Sequence, residues 1–188
     1  FIRAGGFKPG ANVVVYGAGP IGLASVALAK AAGAEKVICF DISDPRLHVA
    51  KLVGADHAFN SIELFKGGTR PCEKVLELTD GSGADLHVEA AGAPDKTLPD
   101  MERSLAIGGK IAVIGRADVR AAIYLESFQV RAGQIFGSQG HSGSGIFPNV
   151  IRLFASGKVD MTRIITRRYA LSEFMDAIGQ ASKRVDSK

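Results

Sequence analysis

The stretch "VVVYGAGPIGLASVALAKAAGAEKVICFD", residues 13–41, sets three glycines between an apolar run and an alanine-rich run, and an aspartate at the end of a second apolar run. No other stretch narrows the fold as much. In a strand–turn–helix setting Gly17 permits the tight turn. Gly19 has no Cβ and lets a pyrophosphate approach the backbone, and Gly22 lets the helix pack closely on the strand. Pro20 removes one donor where the first N–H groups of a helix lack partners anyway. With Ile21, it opens a helix whose remaining N–H groups and positive dipole end face the phosphates. Asp41 falls 19 residues after Gly22, where a carboxylate can accept hydrogen bonds from both adenosine ribose hydroxyls. Strand, glycines, helix, strand and acid together predict a dinucleotide site.

Asp41 also bears on which dinucleotide. A 2′-phosphate about 4 Å from its charge would cost on the order of 1–4 kcal/mol, so NAD is expected over NADP. Arg46, five residues later, either reaches the same ribose or is a solvated first-turn arginine; both readings stand.

The rest of the chain repeats the alternation. β-rich runs occur at 12–16, 36–40, 57–60, 84–89, 110–115 and 134–137. Between them Asp44 caps a helix opened by Pro45 and stopped by Gly54, and a second helix covers 71–79. Leu98, Met101 and Leu105 mark a third, ended by Gly108 and Gly109, and two more cover 147–155 and 172–181. Residues 61–70, "SIELFKGGTR", read as a long surface loop. Strands alternating with helices predict an α/β fold, a doubly wound, mostly parallel six-stranded Rossmann sheet with helices on both faces. The strands are apolar throughout rather than alternating, as burial on both faces requires.

Composition excludes several classes. The 188 residues carry 23 Lys+Arg against 19 Asp+Glu, a formal net charge of +4, and the basic residues are scattered. No nucleic-acid stripe results. Cys39 and Cys72 form no C-x-x-C pair, which favours a cytosolic setting over a disulfide framework. No apolar run approaches the roughly 18–20 residues of a membrane span, and no signal peptide is visible. A chain that opens on Phe1 rather than Met reads as a piece of a longer protein.

The segments "GGFKPGANVVVYGAGPIGLASVALAKAAGAEKVICFD", "RLHVAKLVGAD", "GADLHVEAAGAP" and "GGKIAVIGRA" together resemble the cofactor domain of the zinc-type medium-chain alcohol and polyol dehydrogenases. The resemblance covers nearly the whole chain, with residues 1–10 as the end of a connection from a catalytic domain and 11–188 as the dinucleotide-binding domain. Phe128–Ile165 is similar to members acting on a cyclic polyol ketone. What the resemblance implies is a pyrophosphate turn at Gly17, Gly19, Pro20, Ile21 and Gly22, and an adenosine ribose at Asp41 and Arg46. It places a wall beside the cofactor at Ala91 and Gly92, and a backbone turn near the nicotinamide at Ile114, Gly115 and Arg116. It also gives a carboxamide-holding segment at Ile135 and Phe136. Read from the residues alone, Ile114, Ile135 and Phe136 are equally core residues. The family's zinc ligands have no counterpart here, so zinc is expected only outside this chain, and pairing of two copies along the sixth strand is implied.

The remaining candidates are weaker. Cys39 reads as a small buried hydrophobe. Cys72 opens a helix, a position that can lower a thiol's pKa. His48 and His57 read as surface or strand-end residues, and His87 as one half of a satisfied pair with Glu89. His141, in the glycine-rich "GSQGHSGSG", either touches substrate or cofactor or is a solvated loop tip. Two other classes stay open. One is a regulatory nucleotide-sensing module. The other is a methyltransferase, whose sheet would end in an antiparallel strand pair.

Overall fold

The computed structural model describes residues 8–138 and 146–182. Six parallel strands form one sheet in the order β3-β2-β1-β4-β5-β6. They are β1 (Asn12–Tyr16), β2 (Lys36–Asp41), β3 (His57–Asn60), β4 (Ala84–Glu89), β5 (Leu105–Val113) and β6 (Gln134–Gly137). The connections supply α1 (Pro20–Ala31), α2 (Asp44–Leu52), α3 (Ser61–Lys66), α4 (Pro71–Leu78), α5 (Pro94–Arg103) and α6 (Leu125–Arg131). Beyond β6 come α7 (Ile146–Ala155) and α8 (Phe174–Ser182). The doubly wound parallel architecture is as expected, and among the described residues no antiparallel strand pair closes the sheet.

Each central strand is apolar on both sides because both sides are covered. From β1, Val13 and Val15 enter a core with Leu23 and Val26 of α1 and Val49 and Ala50 of α2. Val14 and Tyr16 enter the opposite core with Val75 of α4 and Leu98 and Met101 of α5. Period-2 side-chain alternation on a doubly covered sheet turns one continuous apolar run into two cores.

Two expectations are corrected. Residues 61–70 are not a long loop: Ser61–Lys66 is helical, because the Asn60 side chain accepts from the N–H groups of Ile62 (3.0 Å) and Glu63 (3.4 Å). The cap was hidden in the last residue of a strand. Leu105 does not belong to the preceding helix, which stops at Arg103; it opens β5 and is buried against the sheet. Its i+4 spacing from Met101 imitated a helical stripe across a strand boundary.

Candidate dinucleotide site

The site is where the sheet changes direction of growth. From β1 the chain proceeds through β2 to β3 on one side and resumes with β4 on the other. Open α/β sheets bind ligands in the crevice at the carboxyl ends of such strands. The glycine turn is built there by backbone. Gly17 (φ +97°) donates its N–H to the Phe40 carbonyl at 2.7 Å. A Cβ on Gly17 would lie 2.6 Å from the Ala91 nitrogen, so this turn touches the one after β4. A Cβ on Gly22 would lie 1.7 Å from the Gly17 carbonyl oxygen, which fixes how closely α1 abuts β1. Gly19 is the N-cap of α1 and supplies no side-chain cap, while Pro20 and Ile21 are exposed. The result is an open helix N-terminus at the mouth of the crevice, suited to an anion.

Asp41 ends β2 and is buried, yet its carboxylate is already engaged. Oδ2 accepts from Ala18 N–H at 2.6 Å, and Oδ1 from Ile42 N–H at 2.8 Å and Ser43 N–H at 2.9 Å. A carboxylate offers about four acceptor positions, so one remains for a ligand hydroxyl. Arg46 is half-buried in the first turn of α2, near the Asp41 end of β2.

Across the crevice, the turns after β4 and β5 are locked together. Gly92 (φ +69°) could not carry a Cβ, which would fall 2.6 Å from the Arg116 carbonyl oxygen. Ile114 and Gly115 donate their N–H groups to the Glu89 carbonyl at 2.9 and 2.8 Å. Ile114 is half-buried on one of the two cores, Ala91 and Arg116 are exposed. Ile135 and Phe136 pair with Ile111 and Ala112 of β5, two and one residues, respectively, below the level of Val113 and Gly137. Gly17, Gly19, Pro20, Ile21, Gly22, Asp41, Ala91, Gly92, Ile114, Gly115 and Arg116 thus come to one rim, with Ile135 and Phe136 slightly below it on the edge strand.

Glu89 is the residue that sequence reasoning undervalued. It is fully buried, and it does not pair with His87. Its Oε1 accepts from Ala91 N–H (3.2 Å), Ala93 N–H (3.3 Å) and Thr97 Oγ1 (3.4 Å), and its Oε2 from Gly92 N–H (3.3 Å). Burial pushes its carboxyl above the ordinary range, and the amide donors of Ala93, Ala91 and Gly92 pull it back. The signal was an acid at the last position of a buried strand, followed directly by "AAGA". His87 instead meets the Ser104 carbonyl through Nε2 at 3.2 Å, leaves Nδ1 without a hydrogen-bond partner, and is held by burial at a pKa of about 4.

The other candidates resolve simply. Cys39 is buried in mid-strand, and burial pushes its thiol up. Cys72 is also buried, and burial raises its thiol rather than the helix start lowering it. His48 is exposed and His57 half-buried at the start of β3. His141 lies outside the described residues. Among the described residues no three His, Cys, Asp or Glu side chains come together where they could hold a metal ion, so a zinc ion does not fit them. Among them, too, no helix is long and apolar enough to cross a membrane.

Comparison with known proteins agrees with this fold. The chain is 46% identical over 182 residues to scyllo-inosose 3-dehydrogenase of Thermotoga maritima, a match covering 94% of this chain and 44% of that protein. A putative alcohol dehydrogenase structure from Thermotoga maritima superposes with a TM-score of 0.89 at 44% identity, over 97% of this chain and 46% of that one. A short chain alcohol dehydrogenase from E. coli CFT073, complexed with cofactor NADH, gives a TM-score of 0.83 at 26% identity, over 96% and 51%. The chain therefore spans about half the length of the proteins it matches. A sequence profile of the zinc-binding dehydrogenases matches residues 20–156, and this chain belongs to that family.

Proposed function

We propose that this chain is the NAD-binding domain of a dehydrogenase that moves hydride between a polyol or secondary alcohol and the nicotinamide. The observation that carries the reading is the meeting of an uncapped helix N-terminus with Asp41 at the switch point of a parallel sheet. In it, Gly17, Gly19, Pro20, Ile21 and Gly22 receive the pyrophosphate, and Asp41 and Arg46 the adenosine ribose. Ala91, Gly92, Ile114, Gly115, Arg116, Ile135 and Phe136 line the nicotinamide half. Bound NAD supplies the hydride acceptor; the chain's own residues bind and orient it. Zinc belongs on residues outside this chain, and the two halves together act on substrate. The polyol assignment leans on the similarity to scyllo-inosose 3-dehydrogenase. We further infer a cytoplasmic protein, in keeping with the two free cysteines, whose copies pair along the β6 edge.

Calorimetric titration of the chain with NAD, ADP-ribose and S-adenosylmethionine tests the reading. NAD and ADP-ribose should bind and S-adenosylmethionine should not. Binding of S-adenosylmethionine alone would favour the methyltransferase class and overturn it.

A further inference from the structure

We propose that Glu89 is a positioning residue for the nicotinamide half of the cofactor, an inference that rests on the NAD-binding reading above. Register puts it at the centre of the crevice: Glu89 stands level with Tyr16 of β1 on one side and Val113 of β5 on the other. From there it holds two turns by different atoms. Its carboxylate gathers the N–H groups of Ala91, Gly92 and Ala93 and the Thr97 hydroxyl, which shapes the turn after β4. Its carbonyl accepts from Ile114 and Gly115, which anchors the turn after β5.

The close approaches between turns give this arrangement its consequence. A Cβ on Gly115 would lie 2.3 Å from Glu89 Oε2 and 2.5 Å from the Gly92 nitrogen. Gly92 in turn is tight against Arg116, and Gly17 against Ala91. The carboxylate is thus the filler beneath the turns after β4 and β5, and its position sets theirs. A dinucleotide with its pyrophosphate at α1 and its adenosine at Asp41 must cross β1 to reach the β4 and β5 turns. Displacing Glu89 therefore moves the wall for the far half and leaves the adenosine end, fixed by Asp41 and Ala18, where it is.

Glu89→Gln is the informative change, because it keeps volume. If the amide oxygen takes the Oε1 place, three donors stay satisfied and the new NH₂ faces the Gly92 N–H, donor against donor. In the full-length protein, affinities for NAD and ADP-ribose, kcat and Tm are measured together. Glu89→Gln should weaken NAD at least about tenfold and ADP-ribose less than about twofold. Parallel loss of both ligands in step with Tm, or no loss of either, overturns the proposal. Should that variant not fold, Thr97→Val removes one partner from outside the crevice and should weaken NAD about threefold with ADP-ribose unchanged; an unchanged NAD affinity there overturns it. Failure of the unmutated protein to bind NAD would instead count against the NAD-binding reading itself.

Discussion

Two acids end two strands of this sheet, and they use the same trick for different ends. Asp41 closes β2 and Glu89 closes β4; each collects three backbone N–H groups from the turn that follows or faces it. Asp41 does so with bonds of 2.6–2.9 Å and keeps an acceptor position near the rim. Glu89 does so at 3.2–3.3 Å, with no exposed surface and a hydroxyl as its fourth donor. A short, partly open carboxylate can add a ligand without rearrangement. A fully enclosed one can only shape what lies above it. The Asp41 side is therefore expected to separate binding from stability, and the Glu89 side to combine stability with shape.

The sharpest way to break that distinction is within the glycine turn on the Asp41 side. Gly22→Val should destabilise by more than about 3 kcal/mol, because overpacking where backbone meets backbone has no side chain to move aside. Denaturant unfolding of the full-length protein checks it, and unchanged stability would mean that α1 is free to shift. Gly19→Val, three residues earlier, should act oppositely. Gly19 sits at φ −72°, ψ −178°, extended backbone open to any residue, so stability should change by less than about 1 kcal/mol. Its side chain would occupy the pyrophosphate's place, and NAD affinity should fall about a hundredfold. Unfolding of Gly19→Val would show that the turn packs rather than binds.

How legible the molecule was follows the same line. The strand and helix order could be read because each central strand faces two cores, and Val13–Val15 shows no polar position to confuse it. On the Asp41 side the spacing of Gly17, Gly19, Gly22 and Asp41 could be read, because all four lie within residues 13–41; the N–H groups that Asp41 holds could not. On the Glu89 side no such spacing accompanies the acid, and its partners are main-chain N–H groups, which any residue provides. Nothing in the letters Ala91, Gly92 and Ala93 announces where their N–H groups point. His87 misled for a related reason: it shares a strand with Glu89 but turns to Ser104, a carbonyl no pattern reveals. Asn60 was masked by being read as strand end alone.

The β4 side should also declare itself through pH. His87 is fully buried, and burial lowers its pKa to about 4 from an ordinary value of 6.5. Below pH 6.5 the unfolded chain takes up a proton that the folded chain refuses. Stability from this group is thus complete above pH 6.5 and is lost as pH falls toward 4. At pH 5 the loss should be about 2 kcal/mol, since each pKa unit is worth about 1.4 kcal/mol. Denaturant midpoints from pH 7 to 5 check this. His87→Gln should flatten that part of the profile, and an unchanged slope would mean that the imidazole is protonated in the folded state.

The smallest effect is expected at Asp41, where binding and turn-holding meet in one side chain. In the full-length protein kcat/KM for NAD should exceed that for NADP by at least about tenfold, about 1.4 kcal/mol, from like-charge repulsion against a 2′-phosphate. Asp41→Ser should narrow that ratio. A serine hydroxyl cannot serve both the Ala18 N–H and the Ile42–Ser43 pair, so the glycine turn loosens as well. The narrowing should accordingly come from two directions: NADP improves because the charge is gone, and NAD worsens because the turn has lost its tether. Asp41→Asn tells these apart. It removes the charge but can keep its oxygen on Ile42 and Ser43, sacrificing chiefly the Ala18 bond. If NAD is weakened in Asp41→Asn by nearly as much as in Asp41→Ser, the Ala18 contact at 2.6 Å is what holds the pyrophosphate turn. If NAD is untouched in both while NADP gains, Asp41 only repels, and its likeness to Glu89 as an organiser of backbone is lost.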